Sequence, residues 1–331
     1  MKKILQQLIH HEPLEKQQAR NVLVAISEGN YPASQIAAFI TVYMMRHITL
    51  EELEGFRDAL LDLCVQVSFD ACETIDLCGT GGDGKNTFNI STLASFITAG
   101  AGVPVTKHGN YGVSSISGSS NVMEELGIPF SNDNDFLKQC LDTAGIAILH
   151  APLFHPAMKN VGPIRKELGV KTFFNMLGPM VNPAFPKHQL VGVFSLELAR
   201  LYGYLYQKGD KQYTILHALD GYDEVSLTGP VKRISNRFDD MLLPAHFKSE
   251  RLSPETLYGG ATISESAQLF STILKAEGTE AQHKVVCANA ALAIATATGC
   301  SLETGVEKAE DSLFNRKGWN ALEQLQKMAQ S

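Results

Sequence analysis

Gly79-Thr80-Gly81-Gly82-Asp83-Gly84-Lys85-Asn86-Thr87-Phe88-Asn89-Ile90-Ser91-Thr92 links an apolar run, Ile75 to Cys78, to a helical pattern, Leu93 to Ala99. A glycine-rich turn from strand to helix lets backbone N–H groups close on an anion, and the helix N-terminus adds partial positive charge. No acidic residue stands between Asp83 and Glu124, whereas Lys85, Lys107 and His108 do. That composition suits a polyanionic, phosphate-bearing ligand. A second run, Lys107-His108-Gly109-Asn110 through Ser119, follows apolar Val103 to Thr106 and reads as a glycine- and serine-rich loop. Loops of this kind close over ligands and exclude water. A third feature is the acidic pair Asp223-Glu224, after the apolar run 213–219. On a regular strand the two would face opposite sides. At a strand end both can turn to one hard cation, and oxygen ligands with substrate phosphates suit Mg²⁺. A fourth is Arg165, whose guanidinium can grip a carboxylate with two parallel bonds.

Each feature has a competing reading. Gly79, Gly81 and Gly84 satisfy the dinucleotide pattern G-x-G-x-x-G, but no acid follows about 20 residues on to hold a ribose hydroxyl. Gly79 to Lys85 nearly fits a Walker A loop, with Asn86 where a hydroxyl belongs. A glycine turn without a ligand leaves the accompanying hydroxyls, amides and Lys107 unexplained. Asp223-Glu224 also reads as an ordinary acidic turn, and Arg165 as a surface residue paired with Glu167.

These residues need a scaffold. The chain has 331 residues, 44% of them hydrophobic, enough for a large domain with a smaller companion. Its net charge of −7 argues against sequence-independent nucleic-acid binding, which needs a basic field. The six cysteines form no C-x-x-C pair and read as buried free thiols in a reducing compartment. Ile4 to Ile9 is broken by glutamines, so no signal segment is expected, and no apolar run approaches the roughly 20 residues that span a bilayer. A cytoplasmic location without membrane contact is expected.

Residues 1 to about 70 read as all-helical. Ile36, Phe39, Ile40 and Tyr43 follow the breaker Pro32 at helical spacing, and Thr49 with Glu52 forms a capping box. From about 73, β-like runs at 73–78, 103–106, 146–150, 189–195, 213–219 and 224–227 alternate with helical ones. The expected class is α/β: a small all-helical domain plus a larger α/β domain with a mostly parallel central sheet. The expected bounds are 1–71, joined by part of 160–185, and 72–331. Helical segments close the chain, with Ser253-Pro254-Glu255 as one cap and 281–298 as a long helix.

Taken together, Gly79–Asp83, Asn89-Ile90-Ser91-Thr92, Lys107-His108-Gly109-Asn110, Ser114-Ser115, Ser117-Gly118-Ser119, His155-Pro156-Ala157, Arg165, Phe174-Asn175, Leu177-Gly178-Pro179 and Asp223-Glu224 resemble the anthranilate phosphoribosyltransferase family of tryptophan biosynthesis. The likeness spans nearly the whole chain. It implies a homodimer, formed through the helical part, that transfers phosphoribosyl from phosphoribosyl pyrophosphate (PRPP) to anthranilate. Gly79, Gly82, Asp83, Thr87, Asn89, Ile90, Ser91, Thr92, Lys107, His108, Gly109, Asn110, Ser114, Ser115 and Ser119 resemble the family's PRPP contacts. Gly79, His108, Asn110, Arg165, Gly178 and Pro179 resemble its anthranilate contacts. Ser91, Asp223 and Glu224 resemble the ligands of two Mg²⁺ ions.

No residue is expected as a covalent nucleophile, because an aromatic amine already carries a free lone pair at neutral pH. The chain departs from the family's common pattern at Tyr111-Gly112, for Arg-Ser, at Ile116, for Lys, and at Asn121, for Asp. Two other readings remain at this point. A pyrimidine nucleoside phosphorylase would share the architecture but use inorganic phosphate and no Mg²⁺. A non-catalytic nucleic-acid-binding relative would be basic and lack the acidic pair.

Overall fold

A computed structural model describes residues 1–69, 72–112 and 116–329. The chain forms two compact units, one of Met1–Val67 with Ala151–Phe185 and one of Ser68–His150 with Pro186–Ser331.

The first unit is helical: α1 (Lys2–Ile9), α2 (Lys16–Ser27), α3 (Ala33–Met45) and α4 (Leu50–Asp62), with the short helices α8 (Ala151–Phe154), α9 (Gly162–Leu168) and α10 (Phe174–Leu177) returning later in the chain. The Thr49 hydroxyl accepts from Glu52 N, starting α4 with the expected capping box. Glu52 is fully buried, and Leu14 N, Thr49 N, Tyr43 Oη and the Arg46 guanidinium all donate to its carboxylate. Phe39, Tyr43, Phe56 and Phe173 pack with ring centroids 4.9–6.1 Å apart. Burying one such ring contributes roughly 1.5–3 kcal/mol. α2 and α4 touch at Gly55, where a Cβ would collide with Lys16 O.

The second unit is a seven-stranded sheet in the order β3-β2-β1-β4-β5-β6-β7. β1 (Ile75–Gly79), β2 (Val105–Gly109), β3 (Ile146–His150), β4 (His188–Gly192) and β5 (Gln212–Ala218) are parallel. β6 (Val231–Ser235) and β7 (Asp239–Leu242) are antiparallel. Helices α5 (Ile90–Gly100), α6 (Ser119–Glu125), α7 (Asn134–Ala144) and α11 (Leu196–Tyr206) lie between strands, and α12 (Ile263–Leu274), α13 (Glu280–Thr298), α14 (Leu302–Phe314) and α15 (Lys317–Met328) close the chain. Strands covered on both faces read as continuous apolar runs, and all five residues of β3 are buried. The order turns outward in both directions from β1 and β4. In parallel sheets the crevice beyond the carboxyl ends at such a switch point is where ligands bind.

The fold departs from the sequence-based expectations in several places. Residues 224–227 form no strand: Leu227 has φ +59°, and Asn289 takes up the main chain at Val225 instead of a neighbouring strand. β6 and β7 escape the sequence pattern, because their polar, half-exposed residues lack a parallel strand's apolar signal. Pro254–Leu257 is a 3₁₀ turn rather than an α-helix. All six cysteines are free, but only Cys140 and Cys287 are buried and Cys72 is exposed. Among the described residues no single helix is long and apolar enough to cross a membrane.

Candidate active site

β1 and β4 both end in glycine, and Asp223 lies across those ends. A Cβ on Gly79 would stand 2.5 Å from Asp223 Oδ2, and one on Gly192 would collide with Asp223 O. The glycines therefore make room for the acid. Asp223 Oδ2 accepts from Gly81 N at 2.7 Å, and Gly81, Gly82 and Gly84 adopt positive φ in the turn that follows β1. Left-handed backbone is free of steric cost only for glycine. Gly192 carries no signal in the sequence, because its reason is the approach of residue 223.

Glu224 Oε1 accepts from Ser91 N at 2.8 Å, in the first turn of α5. The helix N-terminus that the sequence assigns to a phosphate thus carries a carboxylate of the chain itself. Ile90 and Thr92 are buried in the core. Asn289 holds the segment after Glu224, its Oδ1 accepting from Val225 N at 3.0 Å and its Nδ2 donating to Val225 O at 2.9 Å. Nothing in the sequence singles this residue out.

Burial raises the carboxyl pKa of Asp83, Asp223 and Glu224, and the charge of Asp83 lifts Asp223 and Glu224 further. Among the described residues no three His, Cys, Asp or Glu side chains already stand as a ligand set. The donors are nevertheless hard oxygens, and their desolvated negative charge is what a small divalent cation relieves.

Around this centre the loop is fastened by its neighbours. Asp83 Oδ1 accepts from Lys85 N at 3.0 Å, and Lys85 Nζ lies 4.7 Å from the Tyr222 ring centroid. Thr87 bridges to Tyr258, and Asn86 Nδ2 donates to Gly260 O. Asn89 Nδ2 reaches Ser117 O at 3.2 Å. Gly82 lies within the same turn.

Lys107, His108 and Gly109 require a correction: they are the end of β2, not a loop. Lys107 is buried, its Nζ donates to Leu77 O at 2.6 Å, and burial lowers its pKa. His108 N lies 3.2 Å from Asp76 Oδ1. Asn110 O accepts from Ser119 Oγ and Ser120 N. Asn121 Oδ1 accepts from both Gly112 N, at 2.9 Å, and Gly118 N, at 3.0 Å. Tyr111 packs edge-on against His150, which stacks on Phe130. Ser114 and Ser115 lie outside the described residues.

The helical unit holds the other expected contacts. Arg165, on α9, lies 5.4 Å from the Phe174 ring centroid and donates to Asn175 Oδ1 at 3.3 Å, rather than pairing with Glu167. Its Nε is buried without a partner among the described residues, and burial lowers its pKa. Gly178 and Pro179 begin a 3₁₀ turn, with Pro179 buried. His155 is buried, and desolvation pushes its imidazole down to about 4.

A helical domain together with an α/β domain that carries a carboxylate pair at its switch point defines a class. The helical bundle domain of the glycosyl transferase family matches residues 2–64 and its a/b domain matches residues 71–318, so the chain belongs to that family. Within it the similarity is to anthranilate phosphoribosyltransferases. The enzyme of that name from Flavobacterium johnsoniae is 64% identical over 329 residues, 99% of this chain and 100% of that protein. The relative from Flavobacterium psychrophilum is 66% identical with the same coverage. The crystal structure of anthranilate phosphoribosyltransferase from Thermus thermophilus is 30% identical, covers 99% of each chain and gives a TM-score of 0.91.

Proposed function

We propose that this chain transfers the phosphoribosyl group of PRPP to the amine of anthranilate, giving N-(5-phosphoribosyl)anthranilate and pyrophosphate. The observation that carries it is the acidic pair at the ends of β1 and β4, in a chain 64% identical to an enzyme of that name. The C1–oxygen bond to pyrophosphate breaks, the C1–nitrogen bond forms, and the amine gives up a proton. The α/β unit, within 72–331, is the PRPP-binding part. There the glycine turn 79–84 presents backbone to the phosphates, with Asp83, Thr87, Asn89 to Thr92, Lys107 to Asn110 and Ser119 around it. Ser91, Asp223 and Glu224 would hold Mg²⁺, two ions by the resemblance, which neutralises charge on the leaving group. Arg165 receives the anthranilate carboxylate, and its desolvated guanidinium strengthens that bond.

Catalysis is by positioning and charge stabilisation, without a covalent enzyme intermediate. The buried acidic pair disfavours the phosphorolytic reading, which uses inorganic phosphate and no Mg²⁺ and so gives two desolvated carboxylates nothing to hold. The net charge of −7 disfavours the nucleic-acid-binding one. We also propose a homodimer through the helical unit, where Ile9, Met44 and Met45 are exposed. The test is loss of anthranilate fluorescence on adding PRPP with Mg²⁺ and then with EDTA. Mg²⁺-dependent loss with release of pyrophosphate is expected, and no loss at high enzyme would sink the assignment.

A further inference from the structure

The α/β unit has a second concave site, away from the carboxyl ends of the parallel strands. A groove of about 460 Å³ lies between the face of β5, β6 and β7 and the junction of α13 with α14. It reaches the start of β5 at Gln212–Thr214 and the end of β6 at Ser235. The acidic pair lies where the parallel strands finish, so this is the other end of the sheet. Its size falls within the roughly 300–1,000 Å³ typical of small-molecule sites.

The lining has two chemistries. Leu242, Leu292, Ala295, Leu302 and Phe238 supply apolar surface, while Arg233, Arg237 and His246 supply donors. Asp240 is the one carboxylate among the lining residues, and Arg233 already holds it with bonds of 2.8 and 2.6 Å. Arg233 also stacks on Phe238, 4.0 Å from the ring centroid, so its position is fixed.

Arg237 differs. Among the described residues no carboxylate pairs with it, and its guanidinium lies at the turn between α13 and α14, with both Nη atoms 3.9 Å from where a Gly299 Cβ would be. His246 Nδ1 lies 2.8 Å from Leu243 N and 3.3 Å from Leu243 O, so the main chain occupies that ring nitrogen and leaves Nε2 for a ligand. In a chain of net charge −7 this groove keeps an unspent cation beside an apolar wall.

We propose that this groove is a second binding site, for a small organic anion whose carboxylate or phosphate meets Arg237 and His246 and whose apolar body fills the space against α13. A polar head at one end and an apolar body along the groove use both chemistries at once. An inorganic anion would use only the first.

The test is calorimetry on the full chain with benzoate, phenyl phosphate and inorganic phosphate, with the catalytic site saturated by pyrophosphate and Mg²⁺ and its anthranilate contact removed by Arg165→Ala. Saturable binding of benzoate or phenyl phosphate at one site per chain is expected, and the tighter of the two identifies the head group. Inorganic phosphate should bind at least about tenfold more weakly than the tighter probe, because it has no body to bury. Arg237→Ala removes an exposed side chain and should weaken binding about tenfold, with transferase activity unchanged. Ala295→Trp should abolish binding by filling the groove without touching the cation. Binding equal in Arg237→Ala, binding that disappears on saturating the catalytic site, or inorganic phosphate as tight as the aromatic probes would each overturn the proposal.

Discussion

The candidate sites of the two units hold desolvated groups of different kinds. In the α/β unit they are the carboxylates Asp83, Asp223 and Glu224, with the buried Lys107 as their cationic counterpart, and burial pushes the carboxyl pKa values up and that of Lys107 down. In the helical unit they are Arg165 and His155, and burial pushes theirs down. The means of support differ as well. The carboxylates rest on main-chain N–H groups at Gly81 and Ser91, positioned by a strand end and a helix start. Arg165 rests on a ring face and one carboxamide. A backbone cradle is rigid and gives precise placement of a charged centre. A side-chain cradle orients a guanidinium while leaving its remaining donors for a ligand. Asp223, Glu224 and Arg165 carry charge that is costly to bury alone and that a ligand of opposite sign relieves.

The contrast is tested most severely by Glu224→Gln. The amide oxygen can still accept from Ser91 N, so the fold is kept while the charge is lost. kcat should fall about 10²–10³-fold, with a matching rise in the Mg²⁺ needed for half-maximal rate. Unchanged steady-state rates would remove the acidic pair from the chemistry.

His155 tests the helical unit through stability. Its folded pKa of about 4 lies below the 6.5 of the free side chain, so the unfolded state binds more protons between those values. Stability should therefore be full above pH 6.5 and fall as pH drops toward 4, by up to about 3 kcal/mol from this residue. Urea midpoints measured across that window should flatten in His155→Gln. A slope that survives the substitution would show that other groups carry it.

Arg165→Ala should raise the KM for anthranilate roughly 10- to 150-fold and leave the KM for PRPP within about twofold, since a hydrogen bond to a charged group contributes about 1.5–3 kcal/mol. Arg165→Lys should recover only part, for want of the planar fork. Equal effects on both substrates would make the arginine structural.

The smallest effect is expected at Asn121, whose one oxygen ties Gly112 and Gly118 together. Asn121→Asp keeps the acceptor and should leave the KM for PRPP nearly unchanged. Asn121→Leu should raise it about threefold to tenfold at constant kcat, as expected for about 1 kcal/mol of lost hydrogen bonding. Identical kinetics in both variants would detach this tie from substrate binding.

The α/β class, the helical N-terminal part, the glycine turn after β1 and the acidic pair are legible in the residues alone, because each depends on local composition or short-range spacing. The Thr49–Glu52 box and the buried runs of β1, β3 and β5 are legible for the same reason. Packing in three dimensions is what assigns Lys107 to a buried strand end and spends one of its donors on Leu77 O, because its loop-like neighbours mask a short strand. Packing also dictates that Gly192 must lack a side chain and that Asn289 must anchor Val225, since both reasons come from residues distant in the chain. The antiparallel β6–β7 pair and the groove beneath it are hidden likewise. Their half-exposed, polar residues leave no periodic apolar trace, and their chemistry exists only once β6, β7 and α13 are packed together.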